Sequence, residues 1–66
     1  MANLGEQIDT EITALGADYV NHRIVMLEPR LATVEFYIND VVTGGVSVQT
    51  VKYAIKMDGT ALKRNV

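Results

Sequence analysis

Gly44-Gly45 splits the most β-prone part of this chain into two halves, and how those halves fold onto each other constrains the sequence more than any other feature. Leu31 to Val42 and Val46 to Met57 are dense in Val, Ile, Thr, Phe and Tyr, residues that suit a pleated, half-buried surface. A two-residue turn at Gly44-Gly45, flanked by Thr43 and Val46, predicts a hairpin. It pairs Ile38 with Val51, Phe36 with Tyr53, Val34 with Ile55 and Ala32 with Met57 on one face. The other face receives Glu35 opposite Ala54 with Lys52 and Lys56 diagonal to it, Tyr37 opposite Lys52, and Asn39 opposite Thr50. One face is apolar and the other mostly polar, a sorting that a one-residue slip would scramble.

The flanks extend the same pattern. A turn at Asp58-Gly59 sets Leu62 opposite Ile55 and Val66 opposite Val51 on the apolar face, with Lys63 on the polar one. A three-residue loop, Glu28-Pro29-Arg30, sets Met26 against Ala32, Ile24 against Val34 and Val20 against Ile38, and brings Arg23 opposite Glu35. The N-terminal segment reads as a helix. Asn3 is its N-cap, Glu6 completes a capping box, and Leu4, Ile8, Ile12 and Leu15 form one stripe. Gly16 is the natural stop. The fold expected is α+β: a single small domain, residues 1–66, with a helix over 3–16 packed on one face of a four-stranded antiparallel meander of strands 19–27, 31–43, 46–57 and 60–66.

Two rival helical readings exist. The N-terminal stripe can continue through Tyr19, His22 and Met26 to Pro29, giving a mostly α chain with one long helix that must hold Gly16 at a cost of about 1 kcal/mol. Leu31, Val34, Ile38 and Val41 also fit a 3.6-residue period. Locally, Leu15-Gly16-Ala17-Asp18-Tyr19-Val20-Asn21 resembles the helix-to-strand passage that follows the nucleotide site in zinc-type alcohol dehydrogenases and quinone reductases. The likeness covers seven residues of 66. The family's glycine-rich dinucleotide fingerprint is absent, so the resemblance implies a helix ending at Gly16 before a strand and implies no activity.

A chain of 66 residues hides only about 60% of its unfolded surface and is marginal alone. With no cysteine, neither disulfides nor a thiolate metal site can help, which leaves assembly as the extra stabiliser. At 48% hydrophobic and 21% charged residues, the chain is too apolar for disorder. No apolar run reaches the roughly 18 residues of a membrane span, and no basic n-region or apolar h-region opens the chain. The location expected is cytoplasmic, with assembly into a virion as one destination. Charge is polarised. Glu6, Asp9, Glu11 and Asp18 stand in the first 22 residues with no base, whereas Lys52, Lys56, Lys63 and Arg64 face only Asp58 near the other end. That polarity suits either head-to-tail packing of copies or two solvated faces.

Catalytic signals are sparse. His22 is the only histidine, and a lone imidazole needs an orienting partner to act as a base; the register puts it on the apolar face beside Phe36. Ser47 lies outside any nucleophile elbow, and Gly44-Gly45 lacks the lysine and helix of a phosphate loop. We expect no enzyme, no cofactor and no metal. The function expected is a non-enzymatic structural or adaptor subunit. It would act by self-assembly or by insertion into a larger complex, with a protein partner or a homo-oligomer.

Strands of about twelve residues reach roughly 40 Å, about twice the helix, so the hairpin tip should project. Its Val41, Val42, Val46 and Val48 have nothing in the chain left to cover them and form the candidate partner-binding site. The competing structure is a hairpin curled back onto the helix. A second function class is single-stranded nucleic-acid binding on the outer sheet face, with Tyr37 stacking a base while Arg23, Lys52, Lys56 and Lys63 meet phosphates. Glu35 among them opposes it.

Overall fold

The computed structural model describes residues 2–64. It contains helix α1 (Leu4–Leu15), a 3-10 turn (Gly16–Asp18) and strands β1 (Tyr19–Glu28), β2 (Leu31–Asn39), β3 (Val46–Ile55) and β4 (Ala61–Lys63). The strands form one four-stranded antiparallel sheet in the order β1-β2-β3-β4. The fold is the α+β meander that the residue pattern predicts, and both helical alternatives are excluded.

The start of α1 is decided locally. The Asn3 side chain accepts from the Glu6 amide at 2.9 Å, and the Glu6 carboxylate accepts from the Asn3 amide at 3.1 Å. Together they satisfy two of the orphan donors at the helix start. The end is as local: Gly16 sits at φ 65 and ψ −137, a region closed to residues with a Cβ, and β1 follows three residues later.

Ile8 of α1 meets Val34, Phe36, Val51, Tyr53 and Ala61 in the core, and Leu4, Ile12, Leu15 and Tyr19 pack around its margin. The helix N-terminus is fastened to β4. The Ala61 amide donates to the Ala2 carbonyl at 2.9 Å, the Gln7 side-chain amide donates to the Ala61 carbonyl at 2.9 Å, and Lys63 reaches Glu11 at 2.9 Å. That last pair joins the acidic N-terminal and basic C-terminal blocks inside one chain, so part of the charge polarity is used internally.

Register departs from expectation in three places. On β2–β3, Ala32 pairs with Tyr53, Val34 with Val51, Phe36 with Gln49 and Ile38 with Ser47. Each partner lies four positions earlier than a two-residue Gly-Gly turn would give, because residues 40–45 all belong to the loop. A shift of four is even, so the face assignment survives. Val34, Phe36, Val51 and Tyr53 still point at the helix, whereas Met57 falls in the β3–β4 loop at 88% exposure. β2 and β3 therefore end at Asn39 and Ile55, short of the predicted 43 and 57.

On β3–β4 the slip is one residue and does change the face. Ala61 pairs with Ile55, Leu62 with Ala54 and Lys63 with Tyr53. Leu62 points outward and Lys63 points to the helix side, the reverse of the predicted arrangement. The cause is the longer loop 56–60, closed by the Lys56 amide on the Thr60 carbonyl at 2.8 Å and by Thr60 N–H on the Asp58 carboxylate at 2.9 Å. Ala61, without bulk, lets α1 approach. The predicted pairing of Val66 lies outside the described residues.

On β1–β2, Glu28 pairs with Leu31 across a two-residue Pro29-Arg30 turn, and a bulge at Val25 then restores the expected pairs Ile24–Val34 and Arg23–Glu35. Leu27 replaces Met26 opposite Ala32, and a second bulge at Val20 puts Tyr19 opposite Ile38.

Tyr53 is fully buried and its hydroxyl has no hydrogen-bond partner among the described residues. Burial, with the charge of Glu11 adding to it, pushes the phenol up to about 12 from 10.0. The folded phenol thus holds its proton more tightly than the unfolded one. The stability linked to it is complete below pH 10 and falls as pH rises toward 12, by about 2–3 kcal/mol. Tyr53→Phe should remove that alkaline loss and, by deleting an unsatisfied buried hydroxyl, keep or raise stability at neutral pH by up to about 1 kcal/mol. Thermal melts across this pH range test it; a variant that loses stability as steeply as the parent contradicts it.

Candidate functional site: the hairpin tip and the open sheet surface

The tip is built by Asp40. Its carboxylate accepts from the amides of Val42 at 3.0 Å and Thr43 at 3.4 Å and from the Ser47 hydroxyl at 3.2 Å. Its amide donates to the Gly45 carbonyl at 2.9 Å, and its carbonyl accepts from Gly44 at 2.8 Å. An aspartate that bonds the backbone two residues on makes its own turn, which is why a six-residue loop replaces the Gly-Gly turn. Gly44 supplies the positive φ, 75, that the loop requires. The amides of Val42 and Thr43 hold the Asp40 carboxyl below its ordinary 3.8. The loop's order is accordingly present above that pH and is lost as pH falls through the lowered value. In Asp40→Ala the amides of Val42 and Thr43 should exchange with solvent faster at neutral pH while those of Val34 and Val51 keep their rates. Equal rates at Val42 in the two chains would show that the carboxylate does not organise the loop.

The four predicted valines occupy two settings. Val41 and Val42 stand on the loop at 85% and 90% exposure, and Val46 and Val48 lie on β3 at 56% and 52%, paired with Asn39 and Tyr37 on the outer face. The hairpin does not curl back onto the helix. Every residue from Val46 to Thr50 is exposed, so the distal half of β3 is uncovered on both faces. The molecule measures 41 Å along its longest axis against 20 and 18 Å across. Beneath the tip, Asp18, Asn39, Asp40, Val41, Gly44 and Gly45 line a shallow depression.

The residues read as a nucleic-acid surface are divided. Arg23 forms a salt bridge with Glu35 at 3.1 Å, and the Tyr37 hydroxyl donates to the same carboxylate at 2.9 Å. That bond is the main cause that raises the Tyr37 phenol above 10.0. Lys52 shares this face but pairs with Thr33, not Tyr37. Lys56 lies in the β3–β4 loop, and Lys63 is on the opposite face with Glu11. The predicted outer-face cluster of five is not assembled. His22 is half-buried with its Nδ1 2.7 Å from the Tyr19 hydroxyl, and its ring lies 6.0 Å from that of Phe36.

Sequence reasoning passed over β1. Val20, Ile24, Val25, Met26 and Leu27 are 44–64% exposed. The signal was available in dimensions: a helix about 10 Å across is too narrow to cover four strands spaced about 4.8 Å apart. Because α1 is fastened to β4 and packs on buried residues of β2, β3 and β4, the edge left open is that of β1.

Among the described residues, no group of His, Cys, Asp and Glu is placed to hold a metal ion, and no helix is long and apolar enough to cross a membrane. Compared with protein-family models, curated proteins and solved structures, the chain matches none. Fold and surface define a small α+β domain with a projecting apolar tip and one open apolar edge.

Proposed function

We propose that this chain is a non-enzymatic structural or adaptor subunit that acts by self-assembly or by insertion into a larger multi-subunit complex, a virion being one such assembly. The observation that carries this reading is the pair Val41 and Val42, 85% and 90% exposed at the end of an elongated molecule on a loop whose backbone Asp40 fixes. Solvent-facing apolar groups on an ordered projection supply contact area with little ordering cost, which favours a protein partner. The edge strand β1 adds a second apolar surface of the same kind. Light scattering of the purified protein at micromolar concentration, alone and with its cognate subunit, tests the reading. Particles larger than the single chain support it, and a stable monomer inert toward that subunit contradicts it.

A further inference from the structure

We propose that two copies of this chain pair antiparallel along β1, with Ile24 of each facing Leu27 of the other and Arg23 of each facing Glu28 of the other. The inference rests on the reading of the chain as an assembling subunit and names one partner, a second copy.

β1 is a terminal strand of the sheet, and a strand in that position offers a row of backbone donors and acceptors to any strand laid beside it. Proteins that avoid this contact place charges or proline along the edge. Here Ile24-Val25-Met26-Leu27 is an uninterrupted apolar run, 44%, 47%, 48% and 64% exposed, with Arg23 before it and Glu28 after it.

The bulge sets the register. Residues facing each other across an antiparallel pair lie on the same side of the sheet, and a two-fold axis normal to the sheet preserves that side. In a regular strand, residues three apart lie on opposite sides and cannot oppose one another about such an axis. With the extra residue at Val25, Ile24 pairs with Val34 and Leu27 with Ala32, so both point to the helix side. Likewise Arg23 pairs with Glu35 and Glu28 with Leu31, so both point outward. One register therefore matches both relations, apolar to apolar on one side and base to acid on the other. Symmetry repeats each contact. The Arg23 side chain is 66% exposed and bonds Glu35 through Nη2, which leaves further guanidinium donors for a second carboxylate.

The pairing segment sits at the Pro29-Arg30 end of β1, whereas the valine loop follows the other end of β2. The antiparallel arrangement then points the two tips in opposite directions. Each dimer becomes a bivalent unit with an apolar tip at either end. With six residues of contact per copy, the affinity expected is micromolar.

The native chain contains no cysteine, so single cysteines report the register cleanly. An equimolar mixture of Ile24→Cys and Leu27→Cys under mild oxidation should form a disulfide-linked dimer at least about tenfold faster than either variant alone, because like cysteines would stand beyond bonding distance. Charge gives an independent reading. Glu28→Arg alone places Arg against Arg, and Arg23→Glu alone places Glu against Glu. Each should weaken dimerisation about tenfold or more by sedimentation, and their equimolar mixture should restore it. Cross-linking of like with like at the mixed rate, Glu28→Arg dimerising as the parent does, or a parent that is monomeric at about 100 μM would each overturn the proposal. Failure of the tip reading looks different: substitutions at Val42 would leave all higher association unchanged while these β1 results stand.

Discussion

Phe36→Ala should leave this chain largely unfolded at 25 °C. Phe36 is fully buried, lies on the central strand β2 and belongs to the cluster that joins sheet to helix. Truncating a buried phenylalanine costs about 3–5 kcal/mol, the lost transfer energy plus the cavity left behind. A domain this size has a total stability of roughly 3–10 kcal/mol, with the lower end favoured by its limited burial. The cavity would open beside His22 and Val34, neighbours of Phe36 on β1 and β2. Far-ultraviolet circular dichroism and thermal melting measure the outcome. A variant with native spectrum and unchanged melting temperature would place the core elsewhere.

Val42→Asp should do the opposite: spare the fold and abolish association through the tip, leaving no particle larger than the β1-paired dimer. At 90% exposure, Val42 contributes almost nothing to the core, and surface substitutions of this kind stay within about 0.5 kcal/mol. At a covered interface the new carboxylate has to be desolvated without a partner, which weakens binding by about 100-fold or more. Val46→Asp should act in the same direction, because Val46 is 56% exposed and projects from the first position of β3. A concentration series of light scattering on each variant, with circular dichroism as control, measures both effects. If both variants associate as the parent does, the tip is not the contact.

What could be read from the residues divides along local and non-local lines. The capping box at Asn3 and Glu6 and the stop at Gly16 involve neighbours in the chain, and both stand as read. The face assignment of β2 and β3 was legible because it depends only on parity, which survives a four-residue error in register. The register itself was not, since Asp40 competes for the turn with a carboxylate that caps Val42 and Thr43. The slip at β4 joins the longer local loop 56–60 to contacts far apart in sequence: Ala61, not Leu62, fits beneath α1, and Lys63 meets Glu11 on the helix side. The same fastening of α1 to β4 uncovers β1, so the apolar edge follows from contacts far apart in sequence, whereas the tip followed from the position of two glycines. The predicted outer-face cluster of four bases and Tyr37 is divided in part for the same reason, with Lys63 on the other face beside Glu11, and in part because Glu35, its neighbour on the outer face, holds Arg23 and Tyr37.

The mass of the native particle that carries this chain, determined for the parent and for Val42→Asp, tests the assembling role most directly. The account predicts a multi-subunit mass for the parent and, for the variant, a fall to no more than the β1-paired dimer with its circular dichroism unchanged. One common mass for the two chains, whether that of a monomer or of an intact complex, would contradict it.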